Sequence, residues 1–162
     1  MKKIYLTIII IVAIALQANA QVENHTIGVR LGGSNYGPGF EASYQHGLGD
    51  VNRAEIDLGW SGNNGFAYMK LTGMYHWVWE INESLNWYAG PGLQFVQAFK
   101  SGLGSSPAVG AGGQVGLEYN FKKLDLPLVV GLDTRPMFHL GNNYFDAFGW
   151  GIALSARYSF EL

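Results

Sequence analysis

From Phe148 to Leu162 the chain alternates without a break. Phe148, Trp150, Ile152, Leu154, Ala156, Tyr158, Phe160 and Leu162 fall on one parity, and Gly149, Gly151, Ala153, Ser155, Arg157, Ser159 and Glu161 on the other. Successive side chains of an extended strand point to opposite faces, so this stretch is a strand with one apolar and one small or polar face. The same pattern recurs over residues 26–32, 39–48, 53–61, 67–79, 87–96, 109–121 and 128–135, which with the last segment makes eight strands. Between them lie links rich in Gly, Pro, Asn, Asp and Ser, at 34–38, 49–52, 62–65, 80–86, 98–107, 122–127 and 136–147. Short links between consecutive strands predict an all-β fold with an up-and-down antiparallel meander. Pro91, flanked by Gly90 and Gly92, cannot donate to a ladder and reads as a β-bulge.

The first twenty residues read as a secretory signal peptide. Lys2 and Lys3 precede an apolar run from Ile4 to Leu16, and Ala18 and Ala20 are small residues suited to cleavage after Ala20. The run is shorter than the roughly 20 apolar residues that span a bilayer. Residues 21–162 then form one domain. No cysteine is available for a disulfide or a lipid anchor. The chain carries 10 Lys and Arg against 12 Asp and Glu, and loss of Lys2 and Lys3 makes it more acidic, which gives no footing for a nucleic-acid partner.

Eight amphipathic strands can close in two ways, with the apolar face around a cavity as in soluble binding barrels, or with it against lipid. The placement of charge separates them. Arg30, Glu41, Arg53, Glu55, Asp57, Lys70, Glu118, Asp133, Arg135 and Arg157 all lie on the polar face within strands, and the apolar face has no charge there. The rest of the polar face is mostly Gly, Ser, Ala and Thr, which suits a narrow lumen better than a water-facing surface. Charged residues make up only 14% of the chain, against about 25% in an ordinary soluble domain. The expectation is an eight-stranded antiparallel transmembrane β-barrel whose five basic and five acidic lumen residues pair as an ion-pair network.

Aromatic residues fall near strand ends. Trp60, Phe95, Phe148 and Trp150 lie toward one rim, and Trp77, Trp79, Trp87, Tyr119, Phe121, Tyr158 and Phe160 toward the other, the arrangement of two membrane-interface girdles. An even number of strands puts both termini on the periplasmic side and the links at 34–38, 62–65, 98–107 and 136–147 outside, the last two being the longest.

At this point the sequence resembles the small eight-stranded outer-membrane barrels of the OmpX and OmpA transmembrane-domain type. "LDLPLVVGLDTRPMF" followed by "FGWGIALSARYSF" is similar to short outer-membrane barrel proteins of Bacteroidetes. The resemblance implies residence in the outer membrane among its lipids, and insertion by the barrel assembly machinery, which reads an aromatic C-terminal strand. Phe160 and Tyr158 would serve there, although the last residue is Leu162.

Chemistry is sparse. "FHLGNN", from Phe138 to Asn143, is similar to the His-x-Ser-Asn segment of lipid A deacylases, but Gly141 stands in place of the serine nucleophile and Ala153 near the place of the acid. His25, His46, His76 and His139 lie in different segments without the short spacing of a metal site, and His76 reads as a hydrogen-bonded lumen filler. "GLGSSPAVGAGG" lacks the Lys and the helix of a phosphate loop. No catalytic, metal or cofactor-binding residue is therefore expected. Two functions fit: a monomeric, non-enzymatic barrel with a filled lumen and a structural or surface-contact role, or a narrow conduit or binder for a small or apolar ligand.

Overall fold

A computed structural model describes residues 22–34, 37–63, 66–102, 104–140 and 146–161. The signal peptide expected over residues 1–20 lies outside the described residues. The described chain forms β1 (His25–Ser34), β2 (Gly37–Gly47), β3 (Asn52–Asn63), β4 (Phe66–Asn82), β5 (Leu85–Lys100) and β6 (Gly104–Asn120). A single 3-10 turn, Phe121–Leu124, precedes β7 (Leu128–Thr134, continued by Met137–Leu140) and β8 (Phe148–Gly149, continued by Gly151–Phe160). Each strand pairs antiparallel with the next. β1 then pairs with β8, from His25 opposite Phe160 to Ser34 opposite Gly151, and closes an eight-stranded barrel. Closure gives every strand a hydrogen-bonded neighbour on both sides.

The inside and outside are reversed relative to a water-soluble protein. Arg157 is 1% exposed and Glu55 0%, whereas Leu93 is 69% exposed and Leu140 73%. Inward apolar residues form two small groups, Tyr68 with Val96, Ala98 and Ala108, and Val78 with Tyr88. Near the second group the segment before β1 crosses the end of the barrel that holds the termini. There Val22 N–H donates to Asp50 O (3.1 Å), and the Glu23 carboxylate accepts from Asn120 Nδ2 (2.8 Å) and Ser159 Oγ (3.3 Å).

Three details correct the sequence reading. The stretch 98–107 is mostly ladder rather than a long link: Phe99 faces Ser105 and Lys100 faces Gly104. Gly102 (φ +78°) and Gly104 (φ +88°) occupy the left-handed region, and this lets the hairpin turn tightly enough for the ladder to reach them. Within 136–147, Met137–Leu140 likewise extends β7, with Val109 of β6 opposite Leu140. In 98–107 composition misleads, because Gly, Ser and Pro fit a barrel strand as well as a loop; Met137–Leu140 contains none of them.

Pro91 is not a bulge. Met74 lies opposite Gly92 and Trp77 opposite Ala89, so no residue is added; the β4–β5 register shifts instead between Glu80 and Asn82. Gly113 N–H donates to Pro136 O (3.1 Å), which turns the polar groups of Gly113 toward β7. Pro91, opposite Gly113, consequently turns toward β4 and meets Tyr75 with no N–H to offer. Gly90 admits the Tyr75 carbonyl so closely that a Cβ there would lie 1.7 Å from its oxygen. The proline is accommodated by loss of one bond and a close approach, not by an extra residue.

Candidate functional site: the lumen and its outer vestibule

Alternation brings all ten charged residues named above into the lumen. Nine are buried and Lys70 is half-buried. Eight of them form a connected network of ion pairs, and Arg53 and Glu118 form a separate pair. Arg135 reaches from β7 to Glu41 on β2 (3.1 Å) and to Glu55 (2.9 Å) and Asp57 (2.6 Å) on β3. Glu41 also pairs with Arg30 (2.7 Å) and Lys70 (2.6 Å), and Arg30 binds Asp133. Arg157 joins Glu55 from β8 (3.1 Å), and Arg53 joins Glu118 (2.7 Å). Buried charges need such partners, because an ion withdrawn from water recovers its lost solvation only through close opposite charge and hydrogen bonds.

Neutral side chains on the same parity complete the network. Gln45 Nε2 donates to Glu55. Gln114 Oε1 accepts from Arg135 Nε (3.1 Å) and Nη2 (2.8 Å), and Ser43 and Ser155 receive Arg157 (3.1 and 2.6 Å). His76 is fully buried between Arg53, whose Nε–H points at its Nδ1 (3.4 Å), and Gln114 Oε1, 3.2 Å from its Nε2. With Nδ1 accepting, Nε2 must carry the proton, so His76 sits in the wall as a neutral ring. The Arg53 guanidinium also lies over the Tyr88 ring, 4.6 Å from its centroid. The sequence reading passed over these glutamines and serines, although their strand parity was the signal that could have found them.

Toward the end opposite the termini the packing loosens. A cavity of about 60 Å³ opens there, lined by Arg30, Glu41, Lys70, Gln94, Arg135 and His139 among others. Inward glycines, including Gly32 and Gly39, leave the room. His139 is in β7, facing inward beside Gln94 Oε1 (2.9 Å), while Gln94 Nε2 donates to Thr72 Oγ1 (2.9 Å). Ala153, near the place of the acid in the deacylase comparison, is a buried alanine; Gly141 and Asn142 lie outside the described residues.

The aromatic residues assigned to the two girdles lie on the outer wall, whereas Tyr68 and Tyr88 face the lumen. Trp60 and Trp150 are more than half exposed toward the end where β3 meets β4. Trp77, Tyr119 and Tyr158 are exposed toward the terminal end, with Phe160 half-buried there. Trp79 and Trp87 are half-buried against each other, their rings stacked at 4.2 Å. The four histidines lie in four different strands, and the barrel brings two of them together. His25 and His46 face each other across β1 and β2, ring centroids 4.8 Å apart, with Tyr44 OH 2.8 Å from His25 Nδ1.

The fold, a closed eight-stranded barrel, recurs in solved structures. Neisserial surface protein A aligns with a TM-score of 0.66 at 12% identity, over 84% of this chain and 96% of that one. The N-terminal β-barrel domain of Pseudomonas aeruginosa OprF aligns at 0.59 and 18%, over 86% and 100%. Ail, the attachment invasion locus protein of Yersinia pestis, aligns at 0.54 and 16%, over 86% and 100%. The chain has the fold of the small eight-stranded outer-membrane barrels. No protein-family model and no curated protein sequence matches it. The barrel is thus shared as architecture across sequences that differ at most positions, and what its interior does is argued from its own residues.

Proposed function

We propose that this protein is a monomeric integral barrel of a bacterial outer membrane, with both termini on the periplasmic side, inserted by the barrel assembly machinery and acting without catalysis. Its role on this reading is structural, or lies in contacts made by the short outer turns. The supporting observation is the lumen itself. Arg135, Glu41, Glu55, Asp57 and Arg157 join strands on opposite sides of the barrel, which supports a lumen filled by side chains at their level. Val22 and Glu23 cover the terminal end below. Against an acyl-transfer function stand Gly141, which offers no hydroxyl, and His139, whose Nε2 is committed to Gln94.

Planar-bilayer recording of the purified barrel is the test. The filled lumen predicts a silent membrane at concentrations that insert many copies. Steady unitary openings from the unmodified protein would overturn the closed reading in favour of a narrow conduit.

A further inference from the structure

We infer that the outer vestibule is a binding site for a small oxyanion of about the size of orthophosphate, taken up through the mouth of the lumen. The vestibule is bordered by three cations, Arg30, Lys70 and Arg135, and by one carboxylate, Glu41. The remaining lumen carboxylates, Glu55, Asp57, Glu118 and Asp133, do not line it; Asp133 pairs with Arg30 from behind, and Glu55 and Asp57 with Arg135. The lumen is neutral over its ten charged residues, while the side chains that line its outer recess carry three cations against one carboxylate. A recess with low-dielectric walls focuses such a field and concentrates counter-ions of the opposite sign.

The donors are placed for this ligand. The Lys70 side chain is 16% exposed, whereas none of the other nine exceeds 5%, so its ammonium is the charge that a solute meets first. It makes a hydrogen bond to Glu41 at 2.6 Å and, as an ammonium, has further protons to donate. Arg30 and Arg135 already bind the deeper carboxylates and form a cationic floor. Size sets the class. About 10–15 Å³ on this scale holds one water, so 60 Å³ takes several waters or one tetrahedral oxyanion. The space exists because Gly39 has no side chain: a Cβ there would meet nothing closer than 3.8 Å.

The test is amide NMR of the mature barrel in micelles of an uncharged glucoside detergent, titrated with inorganic phosphate. Saturable shifts are expected at Gly32, Gly39, Lys70 and Gln94. Lys70→Met should weaken binding about tenfold or more, the worth of a charge-assisted hydrogen bond. Gly39→Leu keeps every charge but fills the space, and should abolish the saturable component. Its spectrum also decides the matter if Lys70→Met fails to fold. Shifts that stay linear in phosphate, or that survive Gly39→Leu unchanged, would overturn the site. So would shifts that appear with phosphatidic acid in the micelle but not with free phosphate, since the ligand would then be a lipid headgroup.

Discussion

Arg135→Met is expected to destabilise the folded barrel by about 3–5 kcal/mol, the cost of removing one partner from a buried ion pair. The guanidinium contacts Glu41, Glu55, Asp57 and Gln114. The loss is not shared evenly. Glu41 keeps Arg30 and Lys70, and Glu55 keeps Arg157, but no other ion pair is formed by Asp57 among the described residues. Most of the penalty should therefore be the uncompensated Asp57 carboxylate, and adding Asp57→Asn to the same chain should restore a substantial part of the stability. Urea unfolding in lipid vesicles, followed by tryptophan fluorescence, measures both steps. Lys123, which pairs with Glu83 at the surface near the terminal end, is the control, since an exposed pair contributes about 0–1 kcal/mol. If Arg135→Met cost no more than the Lys123→Met control, the central role given to Arg135 would be wrong.

Leu58→Arg is the second large expected effect. Leu58 lies mid-strand in β3, between Ala42 and Leu71, and is 53% exposed on the outer wall. On a surface in water this change would be worth within about 0.5 kcal/mol. In hydrocarbon, an arginine near mid-depth of a barrel's lipid face costs about 2–4 kcal/mol, falling to about 0–1 near the interface. Ile81, equally exposed at 53% but one residue from the end of β4, supplies the comparison. Unfolding free energies in the same vesicles should rank unmodified protein and Ile81→Arg close together, with Leu58→Arg well below. Equal values for the two variants would mean that Leu58 does not face the membrane interior.

Much of this architecture is legible in the sequence because a strand has a period of two. Parity alone assigns Arg30, Glu55 and Arg157 to the inside and Leu58, Trp60 and Leu154 to the outside, and closure follows from an unbroken series of such strands. The partners across the lumen are another matter. Arg157 meets Glu55, 102 positions away, because strand tilt and stagger set which inward residues share a level, and neither quantity is written in the local pattern. The same limit hid the His25–His46 pair, which depends on the β1–β2 register. Ends of strands were misjudged where Gly102, Gly104, Ser105 and Ser106 mark a tight hairpin instead of a long link. The vestibule is not legible in the sequence, where small residues occur all along the polar face. It becomes a space when Gly39 and Gly32 are set against the reach of Lys70 and Gln94, which requires the three-dimensional arrangement.

Solubility of the mature polypeptide without detergent tests the central assignment most directly. Residues 21–162, refolded from urea into plain buffer and examined by sedimentation and near-ultraviolet circular dichroism, should give aggregates without native tertiary signal, and should fold once micelles or vesicles are supplied. A monodisperse, folded species in buffer alone would contradict an outer wall made for lipid.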